Sequence, residues 1–291
     1  MADIVGIHGI AQEFNGRFGL EQVWLASMRD GLAAAEHRVL AEALTGQHVR
    51  VAFFGSLFRP PGTMGGQEFP HSPSDMRSGL ELDLLTELYR AASADDAGPP
   101  GSMRGGRVAV QVMVERLLRN RTFAGIAQHA LVGTLKQVAR FLSDQPTKER
   151  VMERVQDAVH DDTRVLIGHS MGSIVAYEYL CRYRPPGIRL LVTLGSPLGI
   201  RNLIFDRLTP APVNGVGVWP GKTGTWVNVA DPNDVVALRK ELSPLWLGPF
   251  SGNEITDRRV DNGNEPHSAA RYLNSRQAGA ALGEALRDGL G

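Results

Sequence analysis

Ser170 is the residue in this chain best placed to do chemistry. It stands at the centre of Gly168-His169-Ser170-Met171-Gly172, after the apolar run Val165-Leu166-Ile167 and before the helix-like run 173–180. A turn from strand into helix is a poor place for a buried structural hydroxyl and a good one for a nucleophile. Such a turn is tight enough to strain the serine backbone, and glycines two residues to either side let neighbouring chain pass close to it. The serine Oγ is then held clear of the sheet, and the next N–H, that of Met171, is aimed at whatever the serine attacks. A serine hydroxyl at its free pKa is a weak nucleophile. The chemistry therefore needs a base to take its proton and a carboxylate to orient that base.

The elements that would hold these groups follow from apolar periodicity. Residues 4–7, 48–54, 164–167, 188–194 and 225–230 read as short buried strands. Residues 20–40, with Val23, Trp24, Met28, Leu32 and Ala35 at helical spacing, and residues 147–159 read as helices between them. Strands alternating with helices imply an α/β fold, with right-handed crossovers and a mostly parallel sheet covered on both faces. Ligands of such sheets bind beyond the carboxyl ends of the strands. His8, Ser170, Ser196 and Asp234 each lie just past such an end, although they are far apart in the chain.

The strand–turn–helix around Ser170 resembles the nucleophile elbow of the α/β-hydrolase superfamily, and Gly-His-Ser-Met-Gly is the form common among its lipases and esterases. The resemblance covers about two hundred residues. It implies partners in the order serine, acid, histidine. His267, in Asn264-Glu265-Pro266-His267-Ser268, is the only one of eight histidines beyond the last strand candidate, and resembles the catalytic histidine loop. Asp231 and Asp234 both follow the strand at 225–230. Asp234-Val235-Val236-Ala237 resembles the Asp-x-Val-Pro stretch that carries the acid, so Asp234 is the favoured residue. Asp231 is the alternative, or else a loop cap ahead of Pro232. His8-Gly9-Ile10 resembles the His-Gly-x segment, which implies Ile10 N–H as the oxyanion donor paired with Met171 N–H, and a structural role for His8. Gly195-Ser196-Pro197 resembles the loop that lines or braces the site. Gly9, His169, Ser196 and Pro197 are thus expected against the substrate.

The whole chain, 1–291, reads as one domain, and residues 59–142 are more than a βα crossover needs. By the same resemblance they form a helical cap or lid. Helical patterns at 79–89, 108–118 and 123–142 are separated by a Gly-, Pro- and Asp-rich loop at 93–106, expected to be mobile. In the last pattern Phe123, Ile126, Ala130, Leu131, Leu135, Val138 and Leu142 form a wide apolar stripe. That stripe either walls an acyl pocket over Ser170 or packs on the sheet as ordinary core.

Composition narrows the function classes. Basic and acidic residues number 31 each, so the chain has no net charge to favour nucleic acid or an anionic membrane surface. No apolar run reaches transmembrane length and no N-terminal signal pattern is evident, so a cytoplasmic protein is the expectation. Cys181 is the single cysteine and reads as core. Gly221-Lys222-Thr223 fails as a phosphate loop, because Val216 stands where the first glycine should be and the segment leads into a strand. No metal-ligand spacing and no cofactor motif is present. The expected activity is ester hydrolysis through an acyl-enzyme, on a small ester or acyl substrate with an apolar acyl group. Acyl transfer or thioester cleavage by the same triad, and a non-catalytic binding module on the same fold, are the alternatives.

Overall fold

The computed structural model describes residues 2–10, 12, 15–59, 71–93, 107–123, 128–248 and 253–290. Among these, six strands form one sheet: β1 (Ile4–Ile7), β2 (Val49–Ala52), β3 (Val165–His169), β4 (Leu190–Leu194), β5 (Thr225–Ala230) and β6 (Ile255–Arg259). Their order is β2-β1-β3-β4-β5-β6, and every pairing is parallel. The chain leaves β1 to one side for β2 and returns to its other side for β3. The crevice at the carboxyl ends of β1 and β3 is therefore the topological switch point, where such sheets bind ligands.

Strand side chains alternate between two apolar cores. Val5, Ile7, Leu166, Leu191 and Trp226 face one layer, and Ile4, Val165, Ile167, Val192 and Val227 the other. The second face is covered by α1 (Arg17–Ala34) and α2 (Arg38–Ala43). The first face is covered by α3 (Leu80–Ala92), α4 (Arg107–Leu118), α5 (Gln128–Ser143), α6 (Gln145–Gln156) and α7 (Met171–Tyr183). The chain closes with α8 (Ala269–Leu273) and α9 (Arg276–Ala285), which join α1 on the second face. The expected parallel α/β sheet with helices on both faces is therefore the observed fold.

Several elements differ from the sequence reading, each for a local reason. The helix expected over 20–40 starts at Arg17 and breaks after Ala34, where Glu36 adopts a left-handed φ of 69° that no glycine or proline signals. Val23, assigned to the apolar stripe, is 52% exposed. Phe123 lies in a 3-10 turn (Arg121–Phe123) and α5 begins five residues later, with Ile126 outside the described residues. The helix ahead of β3 begins at Gln145, because the Asp144 side chain accepts the Thr147 N–H at 2.9 Å as a cap. Residues 94–106 of the expected mobile loop, and 60–66 of the loop at the start of the insertion, also lie outside the described residues. β6 was not anticipated; its single neighbour is β5, and among its residues only Ile255 is buried.

One buried ion pair ties α6, the helix ahead of β3, to α7. Lys148 Nζ reaches Glu178 at 2.9 Å and the Thr209 Oγ1 at 3.3 Å, while the Thr209 N–H donates to the same carboxylate at 2.9 Å. Burial pushes the Glu178 carboxyl up, against the pull of Lys148. Removing one partner of such a pair leaves an uncompensated buried charge. Lys148→Met is therefore expected to lower unfolding free energy by about 3–5 kcal/mol in urea titration. Lys148→Met with Glu178→Leu should recover most of that loss, and a double variant no better than the single would contradict the account.

Candidate active site

Ser170 follows β3 directly and stands at the N-cap of α7, with a backbone φ of 54° and ψ of −128°. That conformation is costly for a residue with a Cβ and persists only where its surroundings over-determine it. They do so here. Ser170 N–H donates to the Leu194 carbonyl at 3.0 Å, while its own carbonyl accepts from Ser173 N–H at 2.9 Å and Ser173 Oγ at 2.6 Å. The flanking glycines are needed for close approach. A Cβ on Gly168 would stand 2.5 Å from Ser173 Cα, and one on Gly172 would stand 2.0 Å from the Ile7 carbonyl oxygen.

The strand ends bring three distant side chains into line. His267 Nε2 lies 3.0 Å from Ser170 Oγ, and His267 Nδ1 lies 2.7 Å from Asp234 Oδ2. Asp234 is fully buried, and its Oδ1 accepts the N–H groups of Val236 at 2.9 Å and Ala237 at 3.4 Å. Asp231 is equally buried but turned to the loops: its two oxygens accept from Asn233 N–H at 2.7 Å and Asn262 N–H at 2.5 Å. The geometry thus gives the two aspartates different neighbours, with only Asp234 in contact with His267.

Ser170 opens into a cavity of about 390 Å³, of a size that ligand pockets take. Gly9, Ile10, His169, Met171 and Pro197 share its wall with Ser170 and His267. A Cβ on Gly9 would stand 3.0 Å from Ser170 Cβ, so the loop after β1 lies directly against the serine. Ser196 is not among the lining residues. Its Oγ is 2.7 Å from Ser173 Oγ and accepts Leu198 N–H at 3.2 Å, behind the elbow. The far wall comes from the inserted helices, through Leu84 and Leu88 of α3 and Leu131, Leu135 and Val138 of α5.

Three contacts around this line were not read from the sequence. His169 Nε2 donates to the His267 carbonyl at 2.9 Å, clamping the loop that carries that ring. Thr122 Oγ1 donates to the Asn233 carbonyl at 2.9 Å and accepts Val235 N–H at 3.2 Å, bracketing Asp234 from the insertion. The Tyr272 hydroxyl meets Asp234 Oδ2 at 2.8 Å. A hydroxyl on the helix after the histidine loop was the one available signal for the last.

Electrostatics favour the ionised form of Asp234. Burial works against ionisation of Asp234, but the His267 ring, the Tyr272 hydroxyl and the Lys240 ammonium together hold its carboxyl below the usual carboxylate range. Burial lowers His8 to about 4 despite its bond to the Gly9 carbonyl, and lowers His169 to about 3 with the adjacent His267 adding to the effect. His8 Nδ1 bonds the Gly9 carbonyl and its Nε2 accepts Phe54 N–H at 3.1 Å, which fixes one neutral tautomer.

These histidines set an acid limit to stability. An unfolded histidine titrates near 6.5, so between about 6.5 and the folded value the unfolded chain binds the extra proton. Stability is fully present above that range and falls as pH drops through it, by about 1.4 kcal/mol per pH unit for buried His8. The lowered Asp234 carboxyl acts in the same direction, but only below about pH 4. Urea titrations are expected to show unfolding free energy falling between pH 7 and 5, less steeply in His8→Asn. A flat profile over that range would contradict it.

Comparison with known families adds one match. Residues 127–216 fit the model described as PGAP1-like alpha/beta domain, a lipase-like α/β-hydrolase family. That stretch is under a third of the chain; it includes Ser170, His169, Met171 and Ser196 but neither Asp234 nor His267. No curated protein and no solved structure matched the chain. Among the described residues no helix is long and apolar enough to cross a membrane, and no group of three or more His, Cys, Asp or Glu side chains could hold a metal ion. The six-stranded parallel sheet and the matched stretch together place the chain's fold with the α/β hydrolases and suggest a hydrolase of lipase or esterase type.

Proposed function

We propose that this chain is a serine hydrolase that cleaves an ester bond through an acyl-enzyme. The observation that carries the reading is the continuous line from Ser170 Oγ through both nitrogens of His267 to Asp234, at 3.0 and 2.7 Å. A neutral imidazole donating Nδ1–H to Asp234 leaves Nε2 free to accept the serine proton as Oγ attacks the carbonyl. The same nitrogen returns the proton to the departing alcohol, and then activates the water that releases the acid. Asp234 stays ionised and stabilises the imidazolium formed in between. The N–H groups of Met171 and Ile10 are the proposed oxyanion donors, supported by the contact of the Gly9 backbone with Ser170. Asp231 is assigned to loop capping, because both its oxygens accept main-chain N–H groups.

The inserted helices α3 and α5 act, in this reading, as a cap whose leucines receive the acyl chain. Support comes from the apolar wall they share with Ser170. Burying methylenes there stabilises the bound acyl group by about 0.8 kcal/mol each, so longer chains gain and acetate does not.

Ser170→Ala is expected to abolish turnover of p-nitrophenyl octanoate and labelling by a fluorophosphonate while the melting profile is retained. Asp234→Asn should lower kcat by about 10⁴-fold and Asp231→Asn far less; the opposite ranking would exchange their roles. The kcat/KM for octanoyl esters should exceed that for acetyl esters, and Leu135→Trp should selectively reduce the octanoyl value. Equal efficiency on both esters in the parent chain would remove the acyl-pocket assignment.

A further inference from the structure

The Asp234 carboxylate has a partner that the triad alone does not require. Tyr272, on α8, is fully buried. Its hydroxyl oxygen receives the main-chain N–H of Asp231 at 2.9 Å and lies 2.8 Å from Asp234 Oδ2. A main-chain N–H can only donate, so the hydroxyl accepts there, and its one proton goes to Asp234. Asp234 Oδ2 therefore takes two donors, Tyr272 O–H and His267 Nδ1–H, while Oδ1 takes the N–H groups of Val236 and Ala237. All four acceptor positions of the carboxylate are used.

We propose that Tyr272 is a positioning residue for the triad: by sharing Asp234 Oδ2 with His267, its hydroxyl fixes the carboxylate's orientation and limits how strongly that carboxylate pulls on the imidazole. The proposal rests on the serine-hydrolase reading above. A purely space-filling role is answered by phenylalanine, which has the same ring. The hydroxyl adds only these two polar contacts, and both end on the loop that carries Asp234. The backbone at residue 195 leaves room for the arrangement. Gly195 has a φ of +54°, and a Cβ there would stand 2.7 Å from Asp234 Oδ2, 2.9 Å from Tyr272 Cε2 and 3.1 Å from His267 Nδ1.

The other ionisable groups around the pair have fixed partners of their own. Lys240 Nζ donates to the Asp234 main-chain carbonyl, with Arg259 beyond it as a further charge. Asp231 is held by two main-chain N–H groups. His169 packs on the His267 ring at 4.8 Å between centroids and feels His8 as a weaker influence. None of these donates to Oδ2, so withdrawing the Tyr272 proton leaves that oxygen to His267 alone. The carboxylate then holds the imidazolium more tightly, and the histidine must lose its proton to act as base.

The test is the pH dependence of kcat/KM for p-nitrophenyl octanoate, followed at the isosbestic wavelength of p-nitrophenol. In Tyr272→Phe the acid limb is expected to move to higher pH by about half a unit, because only part of a hydrogen bond to the charged carboxylate is felt at the imidazole. At the optimum kcat should fall about tenfold with KM within about twofold, since the lost contact acts on the base and not on acyl binding. Site-specific fluorotyrosine at position 272, a more acidic hydroxyl and a stronger donor, should move the limb the other way. A folded Phe variant with an unmoved limb overturns the proposal. If that variant does not fold, the fluorotyrosine protein decides alone, and an unmoved limb there overturns it as well. Ser170→Ala separates the two failures: turnover surviving in it refutes the hydrolase reading, whereas turnover lost in it together with unmoved limbs removes only the role of Tyr272.

Discussion

α7 begins less than a side chain's width from the end of β1. Because a Cβ on Gly172 would stand only 2.0 Å from the Ile7 carbonyl oxygen, the helix can start this close to β1 only on a glycine, and the serine before it must turn through a backbone shape that side chains avoid. The rest of the site is arranged around that approach. It places Ser170 at the switch point of the sheet, against the Gly9 backbone, with the first turn of α7 beneath it. Ser173 then locks the strained carbonyl from below and leans on Ser196 in turn. The strain is maintained by contacts from three strands and one helix, so no single loop has to hold it.

Around this fixed point the protein places little charge. Leucine, isoleucine and valine make up much of the cavity wall, with Glu87 as its acidic residue, His8 and His169 held neutral by burial and Asp234 ionised behind His267. In so apolar a setting a developing negative charge is felt strongly by any N–H aimed at it. The same setting penalises any unsatisfied polar group. That is consistent with the full complement of donors on Asp234 and with the two N–H groups that occupy Asp231.

The sequence made the buried strands and the tight turn at Ser170 legible because each depends on neighbours within a few residues: apolar runs, and glycines where a Cβ would collide. β6 was not legible. It is an edge strand in which Arg258 and Arg259 are exposed, and its pairing with β5 is a tertiary event. The helix break at Glu36 had no local punctuation either. The two aspartates after β5 could not be separated by spacing, since what distinguishes them is a loop thirty residues further on, where Asn262 turns its N–H towards Asp231. Tyr272 and Thr122 were missed for the same reason. A buried hydroxyl announces nothing until its partner is known, and these partners lie 38 and 111 positions away.

The Thr122 contact has a consequence for how such a protein can change over time. An insertion that merely covered a pocket could be lengthened, trimmed or exchanged to suit a new ligand, leaving the chemistry beneath it untouched. Here the same segment that contributes Phe123 to the cavity wall also grips the chain on either side of Asp234. Reshaping the wall disturbs the seat of the carboxylate, so under the proposed function ligand preference and turnover would not be independently variable. Diversification would have to proceed through paired changes in the insertion and in the loop after β5, a narrower route than a detachable module would allow.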